Sequence, residues 1–200
     1  VNGTQAGLKE AFALDDKGLG FTVGSLLIGC AAGAFLAGRL ADALGRKRVM
    51  VIAALLFLVG AIVQGETASH TLFVIARFAG GMAVGAASVL SPLYISEVAP
   101  AKIRGRLTTV QQVMIITGLT AAFLVNYFLA QAAGDSLAEV GGLPAWRWMY
   151  LAQAAPAAVF LVALLFIPES PRYLVNRGRE DEARGVLTRL FGSEEAERKV

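Results

Sequence analysis

The chain has 200 residues, 56% hydrophobic and only 16% charged, with a net charge of +3. Soluble domains carry about 25% charged residues, whereas here the apolar residues gather in runs of roughly the 20 that a bilayer helix needs. With a mean hydropathy of +0.62, the composition excludes an ordinary soluble domain and predicts an all-α integral membrane protein. The basic residues cluster in alternate connections, so the positive charge is not a nucleic-acid signal. No charged n-region opens the sequence, so no signal peptide is expected, and the chain reads as truncated at both ends.

Residues 1–8 are too short to span and read as the last turns of a first helix. Asn2-Gly3-Thr4 fits a glycosylation triplet and is taken as a chance match. Lys9 to Lys17 is a polar loop. The second helix runs from about Gly18 to Leu40, and Gly20, Gly24, Gly29 and Gly33 form small-xxx-small pairs suited to close packing. Gly38 to Arg48 then forms a compact charged connection, with four cations against Asp42. Asp42 is expected within reach of Arg39 or Arg46. The third helix covers about Val49 to Gln64, and the fourth about Leu72 to Ser96. Glu97 to Arg106 is a basic loop carrying Lys102, Arg104 and Arg106. Leu107 to Gly134 is an uncharged fifth helix with a turn, followed by a loop with Asp135, Glu139, Gly141, Gly142 and Pro144. The sixth helix runs from about Trp146 to Ile167, with Trp146, Trp148 and Tyr150 as an interfacial anchor. Connections after the second, fourth and sixth helices are basic and the alternate ones acidic. The positive-inside rule places the basic ones in the cytoplasm. After Pro168, Glu180 to Leu190 reads as a short amphipathic helix with Ala183, Val186, Leu187 and Leu190 on one face and a Glu180–Arg184 pair on the other.

No nucleophile–base pair, metal-ligand spacing or phosphate loop stands out, so no enzyme and no cofactor is expected. Cys30 reads as a small packing residue and His70 as a solvated loop residue. The candidate functional residues are polar groups where a bilayer makes them costly. Arg77 interrupts the fourth helix, where an unpaired guanidinium costs ~2.5–3.5 kcal/mol or more. It needs a partner from another helix, or snorkels to the headgroups. Glu97 and Arg104 flank a turn at Pro100 and can pair with each other, or with Arg46 and Asp42; such a bridge is either structural or a gate. Gln111, Gln112, Thr117 and Asn126 bring hydrogen-bonding groups into the fifth helix. They serve interhelical bonds or the hydroxyls of a neutral polyol.

These pieces together resemble the sugar porter family of the major facilitator superfamily. Gly38–Arg48 is similar to the superfamily's signature between helices two and three. Arg77-Phe78-Ala79-Gly80-Gly81 through Gly85 resembles the fourth-helix pattern. Pro92 to Pro100 with Arg104-Gly105 resembles the motif between helices four and five. Trp146-Arg147 followed by Pro168-Glu169-Ser170-Pro171-Arg172-Tyr173-Leu174 resembles the family's sixth-helix ending. The resemblance implies the N-terminal six-helix bundle of a twelve-helix fold over 1–168, with a truncated first helix, and the start of an intracellular helical linker over 169–200. A C-terminal half would complete the transporter, with a monosaccharide held between the halves near the midplane.

The resemblance also assigns residues. Gln112 matches a sugar-binding glutamine, and Gln111 and Asn126 join it as substrate-binding candidates. Leu119 departs from the second glutamine of the bacterial xylose–proton symporter. Arg77 matches the arginine that pairs with a first-helix aspartate in proton-coupled members. Arg39, Asp42, Arg46, Glu97, Arg104, Glu169 and Arg172 form a cytoplasmic charge network that holds one transport state. The expected activity is transport of a hexose or pentose by alternating access, coupled to a proton, in the plasma membrane. The alternatives are a non-transporting sugar sensor or a facilitator for a polyol or other small solute.

Overall fold

A computed structural model of the chain describes residues 4–134 and 137–191. Asn2 and Gly3 of the glycosylation triplet, Asp135, and residues 192–200 of the expected linker lie outside them. A short helix, α1 (Gln5–Ala11), comes first, and the chain then turns at Phe12–Leu14. Asp15 opens α2 (Asp16–Leu44) by accepting from the Gly18 amide at 2.7 Å, which satisfies one of the free N–H groups of the first turn. Arg39, Leu40, Ala41 and Ala43 are good helix formers, so α2 continues through the charged stretch and stops only at Gly45. That glycine has φ +100°, a conformation that suits a residue without Cβ. It alone joins α2 to α3 (Arg46–Glu66). The loop expected over residues 38–48 is therefore a single residue, and its charges stand on helical turns.

The same correction applies twice more. α4 (His70–Val98) starts at His70, so this histidine is the first residue of a helix and not a loop residue. Its Nε2 lies 2.7 Å from the Thr22 hydroxyl, and its ring packs on Phe12 at 5.4 Å. α5 (Ala101–Ala133) begins after Ala99 and Pro100, so Lys102, Arg104 and Arg106 belong to its first turns and not to a basic loop. Proline at 100 biases Ala99 towards an extended backbone, which ends α4 there. α5 stops at Gly134, which has φ +85°. A tight hairpin follows, pairing β1 (Glu139–Val140) with β2 (Leu143–Pro144) through Gly141 and Gly142. The sixth span is two helices, α6 (Ala145–Leu151) and α7 (Ala154–Phe166). Pro156 has no N–H, and its ring would meet the Ala152 carbonyl in a continuous helix, so the ladder breaks at Ala152–Gln153. Among the described residues, five segments are long and apolar enough to cross a membrane: α2, α3, α4, α5 and the α6–α7 pair.

The centre of the bundle is the contact between α2 and α4. A Cβ on Gly29 or Gly33 would lie 2.2 or 2.1 Å from the carbonyl oxygens of Phe78 or Met82. The relation is reciprocal: a Cβ on Gly81 or Gly85 would lie 2.2 or 2.0 Å from the carbonyls of Leu26 or Cys30. The two backbones therefore touch along two turns of each helix. Gly20 and Gly24, read from the sequence as part of the same seam, face open space. α3 packs on the other flank of α4 and on α6 and α7. Ala37, Ala41, Met50, Ala53, Ala83, Leu90 and Leu164 form the core between them.

A second cluster closes the end of the bundle that carries α1. Leu8, Phe73, Trp146 and Tyr150 are buried there, with Phe12 against them. Gly7 lies on the Trp146 indole, where a Cβ would come within 2.3 Å of the ring. Trp146 and Tyr150 are thus core residues. Of the three aromatics expected at the interface, Trp148 is the exposed one, and its indole N–H donates to the Val140 carbonyl of the hairpin at 2.8 Å. At the opposite end, α8 (Pro171–Asn176) and α9 (Glu180–Phe191) pack through Tyr173, Leu174 and Ala183. The expected amphipathic helix is present, with Ala183 and Leu187 buried. The ion pair seen at its start is Arg179–Glu182 at 2.6 Å, in place of the expected Glu180–Arg184 pair. The Glu182 carboxylate, hydrogen-bonded to Arg179, pushes the guanidinium's pKa further up.

The seam makes a sharp contrast between glycines. Gly33→Ala is expected to destabilise the purified protein by ~1–3 kcal/mol, because its methyl must displace the Met82 backbone. Gly24→Ala is expected to be neutral or stabilising by up to ~1 kcal/mol, because a glycine in a helix interior is costly. Thermal unfolding of the two variants beside the parent protein checks this.

Candidate functional site

Two polar assemblies occupy opposite ends of α4. The first surrounds the Gly45 turn. Arg46, whose side chain is 8% exposed, donates from Nε and Nη2 to the two carboxylate oxygens of Glu97 at 3.1 and 3.2 Å. Its Nη2 also meets Asp42 at 2.9 Å, and its Nη1 donates to the Ala41 carbonyl at 3.1 Å. Glu97, 2% exposed, accepts in addition from the Ser170 hydroxyl at 2.5 Å. A buried ion pair needs its remaining valences satisfied to offset desolvation. Here the second acid, a helix carbonyl and a serine do so.

Residues 168–177 then close both ends of the turn. The last carbonyls of α2 carry the negative end of its dipole. Arg177 Nη2 donates to those of Ala43 and Asp42 at 2.5 and 3.2 Å, and the Tyr173 hydroxyl reaches Ala43 at 3.4 Å. The first amides of α3 carry the positive end. Glu169 Oε1 accepts from the Lys47 amide at 3.0 Å and from the Ser170 amide at 3.0 Å. Lys47 Nζ in turn donates to the Leu165 carbonyl near the end of α7, at 3.0 Å. The Tyr94 hydroxyl of α4 holds the Pro168 carbonyl at 2.8 Å.

Of the seven charges expected in one network, the structure joins Asp42, Arg46 and Glu97 directly. Glu169 stands beside them as a helix cap. Arg39 is exposed and lies over the Phe35 ring at 5.6 Å. Arg104 is exposed and donates to the Ala99 carbonyl at 3.3 Å, so of the pairings open from sequence the structure takes Glu97–Arg46 and not Glu97–Arg104. Arg172 is exposed at the rim of the open groove beside Glu97. Ser170, Tyr173, Arg177 and Lys47 were missed. Ser170 had a legible signal, since a serine before a proline is a natural helix start. The others are long-range contacts with no local signature.

The second assembly is Arg77. It is 1% exposed, which removes the snorkelling alternative. Its partner is in the sixth span: Nη1 donates to the Tyr150 hydroxyl at 2.9 Å. The guanidinium lies 5.9 Å from the Phe73 ring centre, within cation–π reach, while its 5.8 Å to the Tyr150 ring centre goes with the bond to that ring's hydroxyl. Nε and Nη2 have no hydrogen-bond partner among the described residues. A cavity of about 90 Å³ opens beside them, lined by Gln64, Asn126 and Gln153.

The α5 amides are not brought together. Gln111 is half-buried and borders an open cavity of about 380 Å³ with Ser88 and Ser91. Gln112 is exposed. Asn126 lies about 20 Å further along the helix axis, at the Arg77 cavity. The cavity at Gln111 is otherwise lined by alanine, phenylalanine and other apolar side chains. A polyol placed there would leave most of its hydroxyls without partners, so a complete polyol site needs groups beyond those this cavity offers.

Charge neutralisation separates the two acids of the turn. Glu97→Gln removes the counter-charge of a buried Arg46 and is expected to cost about 3 kcal/mol. Glu169→Gln keeps an acceptor for the Lys47 and Ser170 amides and is expected to cost about 1 kcal/mol or less. Thermal melting of both variants, compared with the parent protein, reads the difference.

Comparison with known proteins places this geometry. The family model described as "Sugar (and other) transporter" matches residues 3–200. The glucose transport protein of Synechocystis sp. is 42% identical over 97% of this chain and 42% of its own length. The D-xylose-proton symporter of Escherichia coli is 39% identical over 88% of this chain and 39% of its length. The solved proton:xylose symporter XylE, bound to 6-bromo-6-deoxy-D-glucose, superposes with a TM-score of 0.88 at 34% identity, covering 98% of this chain and 46% of that one. The inward-open E. coli XylE structure gives 0.84, covering 98% and 49%. The chain thus spans about two-fifths of the length of the curated relatives it matches, and its helices correspond to the N-terminal half of the major facilitator fold. The chain belongs to the sugar (and other) transporter family.

Proposed function

We propose that this chain is the N-terminal half of a monosaccharide transporter that works by alternating access and couples sugar movement to a proton. The observation that carries the coupling is Arg77: a buried cation whose Nε and Nη2 donors lack partners among the described residues, beside a small cavity onto which Gln64, Asn126 and Gln153 open. Such donors call for an anionic acceptor, which the upstream part of the first helix would supply. When that acid is ionised the Arg77 fork holds it; when it is protonated the pair loosens. That difference is what a proton can exert on a two-state equilibrium. The names of the relatives, glucose transport protein and D-xylose-proton symporter, support a sugar substrate and proton coupling.

The sugar lies between this half and a C-terminal half, near the bilayer midplane, with Gln111 and Gln112 of α5 as contacts from this side. Asn126 belongs by position with the Arg77 cavity more than with the sugar. The similar fit to sugar-bound and inward-open XylE supports a half that moves as one body. Residues 1–168 form that body, and 169–200 start a linker on the basic, cytoplasmic side of the plasma membrane. The exposed charges Arg39, Arg104 and Arg172 face the remainder of the transporter, while Asp42, Arg46, Glu97 and Glu169 hold this half together. Lipid covers the exposed apolar residues of α3 and α7.

Uptake of labelled glucose, xylose and galactose by the full-length protein, in cells without their own sugar carriers, tests the reading. Accumulation of at least one sugar that collapses with a protonophore is expected. Arg77→Ala is expected to abolish accumulation while leaving slow downhill equilibration. Uptake indifferent to the protonophore would remove the coupling, and no uptake of any sugar from protein in the membrane would remove the transport reading. Arg104→Ala is expected to raise the cytoplasmic accessibility of the resting protein, read by labelling of single cysteines; unchanged labelling would make Arg104 a bystander.

A further inference from the structure

We infer that the Tyr150 hydroxyl is a positioning group for Arg77, fixing the direction in which the arginine presents its free donors. This rests on the role proposed for Arg77 and adds to it a residue on a different span. The phenol oxygen sits between Arg77 Nη1 at 2.9 Å and the Thr4 hydroxyl at 3.1 Å. A guanidinium has no acceptor, so Tyr150 accepts from Nη1, and its hydroxyl shares a second hydrogen bond with the Thr4 hydroxyl. One hydroxyl thereby connects α4, the sixth span and the residue that opens α1.

The phenol cannot swing away. Tyr150 is 3% exposed, and its ring meets Phe73 edge-on at 5.3 Å and 87° and Trp146 at 6.2 Å and 85°. With Nη1 taken and the guanidinium set beside the Phe73 ring, the donors left without partners among the described residues are Nε and Nη2. These form the side-on fork of arginine, whose spacing fits the two oxygens of one carboxylate. Were Nη2 engaged in place of Nη1, the two nitrogens left, Nε and Nη1, would stand on opposite edges and could not grip one carboxylate together. The hydroxyl therefore converts a buried point charge into a bidentate donor with a set direction. The adjoining cavity of about 90 Å³ has room for roughly three water molecules, which serve the fork until the acceptor engages.

Tyr150→Phe keeps the ring and its packing and removes only the bond to Nη1. In the full-length transporter, sugar exchange at equal concentrations on both sides is measured in four proteins: the parent, Tyr150→Phe, Arg77→Lys and the double variant. The expected result is a ~3–10-fold fall in maximal exchange rate for Tyr150→Phe, with the sugar KM within about 2-fold of the parent. In the Arg77→Lys background the same change is expected to alter the rate by less than about 2-fold, because lysine has no fork to aim. An unchanged rate for Tyr150→Phe would overturn the inference. So would an equal fall in both backgrounds, since the hydroxyl would then act independently of Arg77. Should Tyr150→Phe fail to reach the membrane, a fluorinated tyrosine at 150, a weaker acceptor, takes its place with the same expectations. Exchange needs no proton gradient, so a parent protein indifferent to a protonophore would sink the coupling while the four-way comparison still decides the role of Tyr150.

Discussion

Where α2 meets α4, the contact is backbone on backbone. Gly29 and Gly33 of α2 lie against carbonyls of α4, and Gly81 and Gly85 of α4 lie against carbonyls of α2. Between apolar helices in a lipid phase the hydrophobic effect offers no net drive, so association depends on close packing. Four glycines remove the side chains that would hold the axes apart. The result is a rigid pair to which the rest attaches. α3 leaves α2 after one residue and settles on the free flank of α4. α4 itself carries Arg77 near one end and Glu97 near the other, about 30 Å apart along its axis. A stiff α2–α4 pair thus sets the separation of the two polar assemblies.

The one-residue turn creates a second constraint. Bringing the C-terminus of α2 and the N-terminus of α3 together at Gly45 places opposite dipole ends side by side, each with unsatisfied backbone groups. The segment after the sixth span meets both. It offers Arg177 and Tyr173 to the carbonyls of α2, and Glu169 to the amides of α3. Lys47 answers by closing the end of α7. Gly45 suits this cap as well as its φ, because a Cβ would lie 2.4 Å from the Glu169 carboxylate and push it off the Lys47 amide. Residues more than a hundred positions apart are therefore tied by helix-end chemistry as much as by ion pairs. Glu169 and Glu97, both acids of the same cluster, do different work: one caps a helix and the other neutralises a buried guanidinium.

The Arg77 assembly follows another rule. Its charge is held without an anion in reach among the described residues, by the Phe73 ring and the Tyr150 phenol. Those groups lower the cost of burial while leaving the bidentate edge of the guanidinium unengaged. Aromatic packing around Tyr150 makes that arrangement stiff. The cluster of Leu8, Phe73, Trp146 and Tyr150 thus closes the end of the bundle and orients the arginine at once.

Much of this was legible in the residues. Uncharged runs of bilayer length announced the spans, and the apolar faces of Ala183 and Leu187 announced α9. The glycines announced a close helix contact, and motif resemblance announced the family. These properties depend on composition and short-range spacing, which the linear chain carries. Boundaries near charges were misplaced, because a change from apolar to charged marks a change of surroundings, and a helix ends only where the backbone is forced to turn, as at Gly45 and Pro100. The sequence by itself determined that polar groups at 77, 97, 111 and 126 would need partners. Only the tertiary structure decided which partners they met. It chose Tyr150 for Arg77, Arg46 from the two arginines open to Glu97, and separate cavities for Gln111 and Asn126. Which glycine of a seam touches, and which side chain completes a buried valence, depends on the rotation and register of one helix against another. Those quantities are set by the whole packed bundle.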